Sequence, residues 1–177
     1  RVFTSGYSNG GMMSYRLVCQ ASDIFRGAGS AAGSYNRGFS GYSCSPSSPR
    51  PVVAMHGTFD FVVPFETSRQ SYISYITGPQ RCPSGLPRQV FSLPSYYGMT
   101  CYERSPCAGG TGSVWCQYTG LGHVWPTNGL LRMWNFWTSG RLGVANELNT
   151  STAPVAMNVT AGANMPIVLN STGDIEK

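Results

Sequence analysis

The sequence predicts an α/β domain built on a mainly parallel sheet. Three observations carry this. Strand-like and helix-like segments alternate through residues 1–142. Pro51-Val-Val-Ala-Met is a continuous apolar run, the mark of a strand buried on both faces. The 177 residues hold 8 Phe, 10 Tyr and 4 Trp, enough large rings to fill a core although only 11% of the residues are charged.

Arg1-Val-Phe-Thr reads as a short strand, and Gly6-Tyr-Ser-Asn-Gly-Gly as a tight turn. From Met12 to about Ala21 the pattern is helical, with Met13, Leu17 and Val18 able to share one face. The small residues Gly27 to Gly33 suit a buried strand under close packing. Pro46, Pro49 and Pro51 bracket a loop, and the Pro51 run is the next strand. Glu66 to about Thr77 forms a helix stopped by Gly78-Pro79. Gln89-Val-Phe-Ser-Leu is a further strand, and 99–104 and 114–119 read as hairpin arms around a Gly-rich loop. Thr127 caps a helix to about Ser139, with Gly140 as stop and Leu130, Leu131, Trp134 and Trp137 as its apolar stripe. After Gly143 aromatics disappear and Asn, Thr and Ala dominate, so 1–142 reads as the folded domain and 143–177 as a tail or linker.

Composition excludes several classes. No stretch approaches the 18 or more apolar residues of a membrane span. Heptads, a Gly-X-Y period and internal repeats are absent. The net charge of +5 comes from singly scattered Arg residues without a basic run, which argues against nucleic acid as a partner. The six cysteines, Cys19, Cys44, Cys82, Cys101, Cys107 and Cys116, form no C-x-x-C pair, and there are only two His, so no metal site is expected. An even count without metal spacing favours disulfides and an oxidising, extracellular compartment. Three N-glycosylation sequons at Asn149, Asn158 and Asn170 agree with secretion. If the hairpin arms pair, Cys101 falls opposite Cys116.

The chemistry centres on Gly6-Tyr7-Ser8-Asn9-Gly10, a G-x-S-x-G pattern. A nucleophilic serine needs a sharp strand-to-helix turn, which tolerates only small residues two positions away. The following helix aims its free N–H groups at developing negative charge, and Asn9 N–H is one oxyanion donor. The serine also needs a base, and the base an orienting acid. The candidates in 1–142 are His56 and His123, with Asp23, Asp60, Glu66 and Glu103. The order serine, acid, histidine of α/β-hydrolases selects His123, in Gly120-Leu-Gly-His-Val-Trp-Pro. Asp60 follows the buried strand, at the face where α/β sites form. Glu66 is the reserve acid, Glu103 reads as solvated, and His56 reads as a holder of the Asp60 loop.

The blocks Gly-Tyr-Ser-Asn-Gly-Gly-Met-Met-Ser-Tyr-Arg-Leu at 6–17, His-Gly-Thr-Phe-Asp-Phe-Val-Val-Pro-Phe at 56–65 and Gly-Leu-Gly-His-Val-Trp-Pro at 120–126 resemble the polyhydroxybutyrate depolymerase / feruloyl esterase family of secreted α/β-hydrolases. The resemblance covers about 1–142. It implies an α/β-hydrolase fold, no cofactor, Ser8 as nucleophile, Asp60 as acid and His123 as base. It also implies a disulfide between Cys82 and Cys107. The family carries further strands and a second oxyanion donor ahead of the serine strand, so a C-terminal part of a larger catalytic domain is expected. Cys19 and Cys44 are left over, with partners expected upstream.

The last block is closer to the feruloyl esterase branch, which implies a hydroxycinnamoyl polysaccharide ester of the plant cell wall. Polyhydroxyalkanoate is the alternative substrate. Tyr7 and Trp125 are candidate substrate contacts, Trp125 by stacking on an aromatic acyl group or a sugar. A reading of another class is a disulfide-stapled carbohydrate-binding or adhesion module without catalysis.

Overall fold

A computed structural model of the chain describes residues 2–35, 44–93 and 97–142. It divides into two units, Arg1–Pro126 and Thr127–Lys177. In the first, β1 (Val2–Tyr7), β2 (Phe25–Ala31), β3 (Val52–Gly57), β4 (Arg88–Leu93), β5 (Met99–Arg104) and β6 (Ser113–Tyr118) form one sheet in the order β1-β2-β3-β6-β5-β4. The pairs β1–β2, β2–β3 and β3–β6 are parallel; β6–β5 and β5–β4 are antiparallel. The protein is thus α/β, with a mixed, mostly parallel sheet. Strands β5 and β6 are the expected hairpin arms, and Cys101 stands opposite Cys116 in their register.

Helices α1 (Asn9–Gln20) and α2 (Phe65–Thr77) follow β1 and β3. Both crossovers step the same way across the sheet, so both helices cover the same face. Tyr15 of α1 and Tyr75 of α2 meet there, ring centroids 5.3 Å apart, over Val52, Ala54 and Trp115. Strand β3 is buried at every position, as the apolar run predicts. The small residues of β2 have a packing reason. Ser30 is wedged beneath α1, where a Cβ on Gly11 would come within 2.6 Å of its Oγ.

That wedge also sets the phase of α1. Gly11 must face the sheet, so the buried positions are Met12, Tyr15, Val18 and Cys19. The expected face of Met13, Leu17 and Val18 is corrected: Met13 is exposed. Within the second unit, α3 (Gly129–Ser139) is shifted likewise. Its buried positions are Gly129, Arg132, Met133 and Phe136, not the stripe of Leu130, Leu131, Trp134 and Trp137, in which Trp134 is exposed. Both sets have helical spacing, so period alone does not choose between them. Asn128, in the left-handed conformation, stands at the N-cap instead of Thr127, while Gly140 ends the helix as expected.

Three disulfides staple the first unit: Cys82–Cys107, Cys101–Cys116 and Cys19–Cys44. The last corrects the expectation of partners upstream, since the end of α1 reaches the loop ahead of β3. Disulfides at this density fit an extracellular protein. Among the described residues, no helix is long and apolar enough to cross a membrane. The tail 143–177, with Asn149, Asn158 and Asn170, lies outside the described residues.

Candidate active site

Three parallel strands, β1, β3 and β6, end on the same edge of the sheet. The turn after each brings one residue to a common point. Ser8 follows β1 directly, with φ 54° and ψ −117°, a conformation L-residues rarely adopt. Gly6 makes this turn possible, because a Cβ there would overlap the Gly10 carbonyl. The crowding is one-sided: a Cβ on Gly10 itself would meet nothing within 4 Å. Asn9 opens α1, whose first-turn amides have no intrahelical acceptor.

The Asp60 side chain is fully buried. Its Oδ1 accepts the amides of Val62 at 3.0 Å and Val63 at 2.9 Å, which closes a tight turn. Its Oδ2 lies 2.8 Å from His123 Nδ1, and His123 Nε2 lies 3.0 Å from Ser8 Oγ. A carboxylate beside Nδ1 fixes the proton there, so Nε2 is left bare to accept from the serine hydroxyl. The structure thus brings Ser8, His123 and Asp60 into one hydrogen-bonded chain. Glu66 is elsewhere, on α2 and paired with Arg69. Glu103 is corrected from solvated to largely covered, because it pairs with Arg88 at 2.7 Å across β4–β5.

The acid and base loops are tied to each other. Thr58 N–H donates to Tyr118 O, Phe59 N–H to Leu121 O, and Gly120 N–H to Thr58 Oγ1, each at 2.9 Å. Gly57 lies so close beneath the base loop that a Cβ would overlap the Leu121 carbonyl oxygen. We expect Gly57→Ala to force the two loops apart and to lower stability by about 2–3 kcal/mol. Denaturant midpoints measure this, and an unchanged midpoint refutes it.

Tyr7 does something the sequence reading missed. Its hydroxyl donates to the His123 carbonyl at 2.7 Å, and its ring centroid is 4.9 Å from the imidazole. It clamps the base loop, so the hydroxyl offered as a substrate contact is already engaged. Desolvation first, and the Asp60 charge second, push its phenol pKa up and keep that donor protonated. Trp125 is partly exposed on the base loop. Phe59, Phe61 and Val62 were also missed as a group. The Asp60 turn displays them, 57%, 84% and 62% exposed, with the two Phe rings 6.2 Å apart. Their signal in the sequence was three large apolar residues bracketing a turn-forming acid.

This arrangement can activate a hydroxyl as a nucleophile and shuttle its proton. Searches against protein-family models and against curated proteins find no match for the chain.

Proposed function

We propose that the protein is a secreted serine carboxylic ester hydrolase of α/β-hydrolase fold, of the feruloyl esterase or polyhydroxybutyrate depolymerase kind. The observation that carries the reading is the chain Ser8 Oγ, His123 Nε2, His123 Nδ1, Asp60 Oδ2, with links of 3.0 and 2.8 Å. Support also comes from its setting, with a strained serine turn between a parallel strand and a helix N-terminus.

In this mechanism Ser8 Oγ attacks the ester carbonyl as His123 Nε2 takes its proton. Negative charge on the carbonyl oxygen is stabilised by first-turn amides of α1, Asn9 N–H among them. The tetrahedral intermediate collapses, His123 gives the proton to the leaving alcohol, and an acyl-Ser8 remains. Water, deprotonated by His123, attacks the acyl carbonyl, and Ser8 leaves with the proton as the acid departs. Asp60 stabilises the imidazolium at both stages. The chemistry balances without a cofactor.

The exposed Phe59 and Phe61 support a substrate with a planar or apolar part, as in a hydroxycinnamoyl polysaccharide ester; polyhydroxyalkanoate is the second reading. Methyl ferulate and hydroxybutyrate oligomers assayed side by side test the choice. Turnover of the first alone supports the feruloyl reading, turnover of the second alone overturns it in favour of the depolymerase, and turnover of neither overturns both. Phe61→Ser should raise KM about tenfold at unchanged kcat, the mark of lost uniform binding. An unchanged KM removes the ring from substrate recognition.

A further inference from the structure

His56 offers a contact that the proposed mechanism does not use. Its Nε2 lies 2.8 Å from Val63 O and 3.0 Å from Asp60 Oδ2. Val63 O can only accept, so Nε2 carries the proton and donates it there, while the same nitrogen lies against Asp60 Oδ2. Asp60 Oδ2 therefore faces two imidazoles at once, His123 from the β6 loop at 2.8 Å and His56 from β3 at 3.0 Å. With the two amides on Oδ1 and His123 on Oδ2, the buried carboxylate accepts three hydrogen bonds and has His56 Nε2 as a fourth polar neighbour. The His56 side chain is 1% exposed. Its ring packs against Trp115 (centroids 5.9 Å apart, interplanar angle 12°) and Phe65 (6.2 Å), which also touch each other and hold the donor in place.

We infer that His56 is a positioning residue that sets the proton affinity of His123 by sharing the one carboxylate oxygen on which His123 relies. A carboxylate oxygen that also faces the positive end of a neutral imidazole N–H has less charge to offer an imidazolium than one that faces it alone. The titratable groups facing this pair are Tyr7 and Ser8 from β1 and its turn, and Asp60 beside His56 itself. Tyr7 and Ser8 are neutral near pH 7, so the Asp60 carboxylate supplies the charge that His123 feels. Desolvation, the largest influence on His56, lowers its pKa from 6.5. His56 thus stays a neutral donor near pH 7. Loss of the donor raises the affinity of His123 for its proton. For an esterase, which is the reading this rests on, that moves the acidic limb of the rate profile to higher pH.

The chain has two histidines, so nitrogen-15 histidine NMR reads each one without reference to activity. In the wild type, His56 is expected as the neutral Nε2–H tautomer, titrating below the ordinary imidazole value of 6.5. His56→Phe keeps an aromatic ring and removes the donor; His56→Gln keeps an N–H near the same place. The His123 midpoint should rise by about half a pH unit in His56→Phe, roughly a threefold gain in proton affinity, and stay near the wild-type value in His56→Gln. A role confined to holding the loop would lower stability without moving the midpoint, and that result overturns the proposal. So does a wild-type His56 that carries its proton on Nδ1 or titrates above 6.5, a test that stands even where His56→Phe does not fold. Absence of ester turnover in the wild type would count against the esterase reading alone, since the titration is read independently of it.

Discussion

Ser8→Ala is expected to lower ester turnover about 10⁴- to 10⁶-fold while leaving the fold intact. The hydroxyl is the atom that bonds to the acyl carbon, and neither His123 nor the α1 amides can replace it. The fold should be indifferent, because alanine meets the same backbone demand at φ 54° that serine already meets. Ser8→Gly separates the two effects. Glycine adopts this region freely, so it should lose the same activity yet gain about 1 kcal/mol of stability. Kinetics and thermal melts on the two variants measure this. Turnover within tenfold of wild type in Ser8→Ala would contradict the assignment.

Asp60→Asn is the second large effect, about 10⁴-fold in kcat. The carboxylate accepts on both oxygens: two amides on Oδ1, and the His123 N–H on Oδ2 with His56 Nε2 close by. An asparagine must turn its NH₂ either toward the two amides or toward His123. With its oxygen on the amides, its NH₂ faces His123 Nδ1 and drives that proton to Nε2, where it blocks the serine. The buried donors left without an acceptor should cost a further 1–3 kcal/mol of stability. Glu66→Gln is the control. It breaks only an exposed pair with Arg69 and should leave kcat unchanged. Steady-state kinetics with denaturant titrations distinguish the two, and equal kcat in both variants refutes the role of Asp60.

Much of this was legible in the sequence because each part has a local cause. The apolar run at Val52–Met55 marked the central strand, and a serine flanked by glycines between strand and helix marked the strained turn. The chain order of Ser8, Asp60 and His123 then left few partners to choose from. Helix faces were harder. Met13 against Met12, and Trp134 against Met133, differ by one residue in phase, and that phase comes from tertiary contacts such as Gly11 on Ser30. The Tyr7 clamp was hidden for the same reason: it joins residues 116 apart in the chain. The close approach of His56 to Asp60 Oδ2 depends on the turn that Val62 and Val63 close around the carboxylate, which no residue type announces alone. The pairing of Cys19 with Cys44 needed the fold as well.

The central claim is that Ser8 is an activated nucleophile. The most direct measurement is labelling of the protein with a fluorophosphonate, followed by peptide mass spectrometry. The account predicts a single adduct on Ser8, absent from Ser8→Ala and strongly slowed in His123→Ala. No adduct, or an adduct on another serine that persists in Ser8→Ala, would contradict it.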